Sequence, residues 1–183
     1  MNGVFSPLLA RIRIDTVRPH LQGRVLDFGC GRGRLCDLVP AERFVGLDAD
    51  PTALAEARRL HPGYTFLHAD QLDGQSGFDT IIAMAVIGYV ADLPGLLSRF
   101  AARLNPGGRI VVTSPMPQAD LLHRMGARLG IFGADTYDRN LGLPDRARIE
   151  SAAALAGLKL AHYSRFMLGH NQIVSLVPKE SGR

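Results

Sequence analysis

The stretch Val25 to Gly33, VLDFGCGRG, constrains this chain more than any other. It opens as a short apolar run of strand character and then breaks into glycine at every second position, Gly29, Gly31 and Gly33. A strand that ends this way calls for backbone at φ > 0, or for a very close approach of the backbone to something else. A helix is expected to follow from about Arg34, with its N-terminus aimed back at the loop. Free N–H groups and a partial positive charge would then line a ligand cradle. Asp27, two residues ahead of the first glycine, sets this loop apart from the dinucleotide fingerprint G-x-G-x-x-G. The third glycine of that fingerprint would fall at Arg34. A carboxylate here repels a pyrophosphate and favours a cation or a hydrogen-bond donor.

The following segments alternate between strand and helix patterns. Leu35 to Val39 continues the short helix, which Pro40 stops. Phe44 to Asp48 reads as the second strand, with an acid at its tip 21 residues past Asp27. A carboxylate in that place accepts hydrogen bonds from both ribose hydroxyls of a bound nucleoside. Asp50-Pro51 is a helix start, with Asp50 as cap and Pro51 in the first position. Tyr64 to His68 is the third strand and leads into Ala69-Asp70-Gln71. His68 itself reads as a rim or core histidine. Phe78 to Met84 is almost continuously apolar, as a strand covered on both faces should be.

Asp92 caps a helix whose apolar positions run from Leu93 to Leu104 at helical spacing. Asn105-Pro106-Gly107-Gly108 is expected to end it, with Arg109 to Thr113 as the fifth strand. Asp145 to Ala156 is the next helix, closed by Gly157. Leu158 to Phe166 and Asn171 to Val177 form a closing strand pair around the turn Leu168-Gly169-His170. At the other end, Ser6 and Pro7 open an N-terminal helix that Pro19 terminates. The whole is expected to be one domain: residues 1–22 an N-terminal helix, 115–143 an insertion capping the acceptor, and 179–183 a frayed tail.

The loop from Asp27 to Gly33, the VGLDADP run ending at Pro51, the Ala69-Asp70 pair and the L-x-P-G-G turn together resemble the class I S-adenosylmethionine (SAM) methyltransferases. The resemblance implies a Rossmann-like seven-stranded sheet, mostly parallel with an antiparallel last strand, and helices on both faces. It implies that SAM is held by Asp27, Gly29, Cys30, Gly31 and Gly33, by Asp48 and Ala49, by Ala69, Asp70 and Gln71, and by Met84 and Ala85. In that family the acid at Asp70 meets the adenine amino group. Many relatives carry Glu-His where this chain has Gly88-Tyr89, so a histidine base at that point is in doubt. Tyr89 either orients substrate or packs in the core. The remaining candidates for a base are His68, His123 and His170, and no metal ligands are expected.

Composition narrows the acceptor. The net charge of +4 comes from scattered residues, with no Lys/Arg block of the kind that marks a nucleic-acid surface. No N-P-P-Y-like tetrapeptide follows the fourth strand. A small-molecule or lipid- or sugar-linked acceptor is therefore expected, and nucleic acid is disfavoured. Arg11, Arg13 and Arg18, with Arg124, Arg128 and Arg139 in the insertion, suit an anionic acceptor or, read plainly, a solvated surface. Cys30 and Cys36 form no disulfide framework or zinc pattern, which points to the reducing cytoplasm. No apolar run reaches the ~20 residues of a membrane span. Two other classes fit the motifs in part: a nicotinamide-dependent oxidoreductase, and a SAM-binding partner subunit without activity.

Overall fold

The computed structural model describes residues 6–118 and 142–179. Seven strands form a single sheet in the order β3-β2-β1-β4-β5-β7-β6. The strands are β1 (Val25–Phe28), β2 (Phe44–Asp48), β3 (Thr65–His68), β4 (Phe78–Met84), β5 (Leu104–Pro115), β6 (Leu158–Phe166) and β7 (Asn171–Pro178). The first five run parallel, and β7 runs antiparallel to both β5 and β6. Strand order reverses between β1 and β4. Their outgoing loops therefore diverge and leave a crevice at the C-terminal edge, where open α/β sheets bind ligands.

The central strands carry apolar residues in succession because both faces are covered. Leu26, Ile81 and Val112 pack into one core with Leu97 and Phe100. Their neighbours Val25, Ile82 and Val111 pack into the other with Val17, Leu54 and Phe66. That division follows from the two-residue period of a strand. Helices α3 (Leu93–Ala101) and α4 (Arg146–Leu155) cover the first face, and α1 (Ser6–Val17) and α2 (Pro51–Leu60) the second. Two caps form as expected, at Asp50 and Asp92, and Asp145 adds a third. The carboxylates of Asp50, Asp92 and Asp145 accept from the backbone N–H of Thr52, Gly95 and Arg148.

Two expectations need correction. No α-helix follows the glycine loop. The chain turns through Gly33 into a 3-10 helix, Cys36–Leu38, held by bonds from Cys36 N to the Gly33 carbonyl and Leu38 N to the Leu35 carbonyl. Too few residues separate the positive-φ Gly33 from Pro40 to repay helix nucleation, so the shorter 3-10 turn wins. The second correction concerns the turn before β5. Helix α3 already ends at Ala101, and Asn105-Pro106-Gly107-Gly108 lies inside β5 as an irregularity between the pairs Phe78/Leu104 and Thr80/Arg109. A Cβ at Gly108 would meet the carbonyl oxygens of Asn105 and Phe78 at 2.9 Å, so only glycine fits the fold-back. Smaller shifts are that β3 starts at Thr65 rather than Tyr64, and that α1 ends at Val17, with Pro19 inside the 3-10 helix Arg18–His20.

Phe100 is fully buried and meets Phe28 edge to face at 5.1 Å, locking α3 to the strand that launches the glycine loop. Phe100→Ala should destabilise the fold by about 3–5 kcal/mol, read from denaturant unfolding. A loss below ~1 kcal/mol would show that α3 repacks without it.

Candidate active site

The glycine loop clasps the tip of β2. Gly29 N–H and Cys30 N–H both donate to the Leu47 carbonyl, at 2.7 and 3.0 Å. Gly31 N–H donates to Asp48 Oδ2 at 2.7 Å, and Gly33 N–H to the Cys30 carbonyl at 2.9 Å. The other Asp48 oxygen accepts from Asp50 N–H at 2.9 Å. The N–H groups of all three glycines and of Cys30 are therefore spent within the protein. That corrects the expected cradle of free donors at a helix N-terminus. The glycines divide their work. A Cβ at Gly29 would strike Val86 and one at Gly33 would strike Phe66, so both keep the packing close. Gly31, at φ +52°, has nothing within 4 Å of where a Cβ would stand and borders open space.

Beneath the loop lies Asp27, buried, with one carboxylate oxygen that has no hydrogen-bond partner. Burial, reinforced by the charge of Asp48, raises its pKa to about 7. The same burial pushes the Cys36 thiol up to about 12 and the Cys30 thiol higher still. Both thiols are free and buried, hence unreactive. The floor of the crevice is thus acidic, with two carboxylates and no lysine or arginine bonded to either.

The rim of β3 holds the other predicted residues. Asp70 Oδ1 lies 2.8 Å from His68 Nδ1, and His68 Nε2 lies 3.3 Å from the Ala49 carbonyl. Gln71 Oε1 accepts from His68 N–H at 3.1 Å. Asp48, Ala49, His68, Ala69, Asp70 and Gln71 are therefore brought to one edge, consistent with the pairing of Asp48 and His68 across β2 and β3. His68 is not free to act as a base, because its ring nitrogens face Asp70 and Ala49. Hydrogen bonding to Asp70 raises its pKa.

On the other side of the crevice, β4 ends at Met84. Ala85 follows in the left-handed region at φ 60°, held by N–H bonds to the carbonyl and hydroxyl of Thr113. Such a conformation is costly for a residue other than glycine and marks an overdetermined site. The 3-10 helix Ile87–Tyr89 comes next and leaves Tyr89 exposed. Beyond β5, Met116 N–H bonds the His170 carbonyl at 2.8 Å, so His170 stands where the chain leaves the sheet. The buried Gln172 donates to Ser114 Oγ and to the Pro144 carbonyl, and its own oxygen has no partner.

Comparison with known proteins settles the family. A family model described as a methyltransferase domain matches residues 5–176. The chain belongs to the class I SAM-dependent methyltransferases. Methyltransferases of this family use SAM. Among curated relatives, it is 33% identical to a trans-aconitate 2-methyltransferase of Methylobacterium nodulans over 88% of this chain and 58% of that protein. It is 36% identical to a ubiquinone biosynthesis O-methyltransferase of Rhodopseudomonas palustris over 50% of this chain and 39% of that one. The chain thus spans about 40 to 60% of the length of these relatives. Among solved structures, a SAM-dependent methyltransferase from Mesorhizobium loti superposes with a TM-score of 0.69 at 22% identity, covering 88% of this chain and 95% of that one. The magnesium protoporphyrin IX methyltransferase of Synechocystis gives 0.68 at 20% identity, covering 93% and 84%. These structural likenesses bear on the fold.

The acidic floor of this methyltransferase also argues against the nicotinamide alternative, because a pyrophosphate would meet carboxylates rather than donors. His123, Arg124, Arg128 and Arg139 lie outside the described residues. Arg11 and Arg18 both pair with Asp15, at 4.0 and 3.2 Å, on the exposed side of α1. Sequence reasoning named Ala85 but not its left-handed backbone, and it missed Val86, the Leu47 carbonyl and Gln172. Thr113-Ser114 and Asn171-Gln172, polar pairs within apolar strands, were the available signal for the last of these.

The His68–Asp70 pair generates a prediction. The folded pKa of His68 lies above its unfolded value near 6.5, so the folded state holds the proton more tightly. Its stabilising contribution is full below that value and is lost as pH rises through the folded pKa. Asp70→Asn should bring the His68 titration, followed by NMR, back down toward the ordinary range. An unchanged midpoint would disprove the pairing.

Proposed function

We propose that this methyltransferase methylates an oxygen of a small anionic acceptor, most simply a carboxylate, free or linked to a lipid or sugar. The observation that carries the cofactor side is the saturated glycine loop over two carboxylates: a floor without donors suits a ligand bearing positive charge. SAM supplies a methyl group on a cationic sulfur. Asp27 and Asp48 favour that charge, and Asp48 keeps outward lone pairs for the ribose hydroxyls. Gly29, Cys30, Gly31 and Gly33 let the cofactor pass close to the backbone. Ala49, Ala69, Asp70 and Gln71 flank the base, with Asp70 toward its amino group. Met84 and Ala85 close the crevice on the β4 side.

The acceptor reading draws support from the relative named for trans-aconitate, which is a tricarboxylate. It also fits the absence of a seated base among the described residues: His68 is engaged by Asp70, and no hydrogen bond orients the His170 imidazole. A carboxylate is already ionised at neutral pH and needs no base, so orientation and exclusion of water suffice. In this reading residues 115–143 cover the acceptor, and Tyr89 lines its entrance. The free buried cysteines support a cytoplasmic setting. Among the described residues, no helix is long and apolar enough to cross a membrane.

For the cofactor, Asp48→Ala should raise the SAM dissociation constant by about 10- to 100-fold, or ~1.5–3 kcal/mol, in calorimetry. Gly31→Val should abolish binding with the circular dichroism spectrum retained. Normal affinity in both variants would sink the site assignment. For the acceptor, labelled SAM should methylate small polycarboxylates but not their neutral methyl esters. The label should return as methanol in alkali, and at saturating SAM, where the titration of Asp27 no longer limits binding, the rate should stay flat between about pH 6 and 8. Transfer confined to phenols or amines, or a rate rising through that range, would overturn the carboxylate reading while leaving SAM binding intact.

A further inference from the structure

The opposite end of the sheet holds a second charged cluster, with the other sign. His20 ends the 3-10 helix after α1, Arg109 lies on β5 and His162 on β6. The rings of His20 and His162 are 5.8 Å apart, centroid to centroid, tilted by 40°. Strand register puts Arg109 and His162 on one face. Arg109 pairs with Thr80, Val111 pairs with Ser175, and Ser175 pairs with His162; residues two apart on a strand share a face. His20 is strapped across that face, since Thr80 Oγ1 donates to the His20 carbonyl at 3.3 Å and to the Gln22 carbonyl at 2.9 Å. The shoulder of α1 and the edge of the sheet thus meet in an open notch, with His20 and Arg109 partly buried and His162 exposed.

The notch is unbalanced in charge. Burial, then His162, then Arg109 lower the pKa of His20, and no carboxylate opposes them. Among the described residues, Arg109 has no ion pair or side-chain hydrogen bond. Two acids on neighbouring segments are committed elsewhere: Asp79 accepts from Arg24 N–H and Asn105 Nδ2, and Asp15 pairs with Arg11 and Arg18. Lys159, opposite Val177, continues the positive face along β6. Arg109 thus carries a positive charge beside two imidazoles, and the lowered pKa of His20 keeps that ring neutral until an anion favours its charged form.

We propose that His20, Arg109 and His162 form a binding site for a phosphate group, separate from the methyl-transfer crevice. A tetrahedral oxyanion has oxygens spaced to accept from both imidazoles and the guanidinium at ~2.8 Å, the geometry of charge-assisted hydrogen bonds. The open notch admits inorganic phosphate or a phosphomonoester, and the same chemistry occurs in a phospholipid headgroup. Binding takes up a proton at His20, because the anion stabilises the charged form of that ring.

The test is a titration of the full chain with inorganic phosphate at constant ionic strength, followed by NMR of the imidazole rings. His20 and His162 should shift saturably and the His20 midpoint should move up, while His61 and His68 stay in place. Arg109→Gln and, independently, His162→Gln should each weaken phosphate about tenfold, with SAM affinity and circular dichroism unchanged. Vesicles with and without phosphatidic acid separate the sources. Recruitment that depends on Arg109 assigns the phosphate to a lipid, and saturation by soluble phosphate without recruitment assigns it to a free ester. Shifts that do not saturate, that chloride reproduces, or that persist unweakened in both variants overturn the proposal.

Discussion

The Leu47 carbonyl, accepting from both Gly29 and Cys30, is the contact on which the site depends. It forces the chain leaving β1 to bend across the end of β2 before it can turn away. That bend requires positive φ at Gly29, brings Gly31 N–H onto Asp48, and sets Gly33 against Phe66. A helix starting at the loop would have left its first N–H groups free and made the place attractive to phosphate. Here the same groups bond strand β2, and the partial charge that remains is negative. A change of one local bonding pattern thus reverses the sign of ligand the crevice accepts.

Much of this was legible in the chain. The two-face burial of β4 is written in its nearly continuous apolar run, and the caps at Asp50 and Asp92 in a residue type placed before a helical stripe. What was not legible has a common cause. Whether Arg34 to Val39 forms an α-helix depends on how far Gly33 is pulled toward Phe66, a contact made by a strand more than thirty residues later. The left-handed Ala85 is likewise imposed by Thr113 on β5, against its own preference. Local propensity cannot see a partner that tertiary structure supplies. The Asn105 to Gly108 turn failed differently: its residues announced a reversal correctly, but the reversal is absorbed within a strand.

Asp27 shows what such a site costs its own fold. Its carboxyl stays protonated to about pH 7 in the folded chain, whereas an unfolded aspartate ionises near 4. Between those values the folded state binds more protons than the unfolded one, so stability falls as pH rises. The cause is burial, with the Asp48 charge second, and the unpartnered oxygen shows that the protein does not relieve it. A cationic ligand would. Binding and folding are then linked through this carboxyl, and the strain is lifted where cofactor arrives.

The sheet carries charge of opposite sign at its two ends, and that separation is a consequence of topology. Parallel strands bring all their C-terminal tips to one edge, where Asp27, Asp48 and Asp70 gather. The antiparallel β7 lets β6 present His162 beside Arg109 on the α1 face instead. An acidic crevice draws in a cationic cofactor but would repel the anionic acceptor proposed above, and such an acceptor would need positive charge from elements other than these strand tips. The segment 115–143, which the proposed function assigns to the acceptor, carries Arg124, Arg128 and Arg139 in its sequence. Cofactor and acceptor would then be sorted by charge before any specific contact is made, one by the sheet and the other by the insertion.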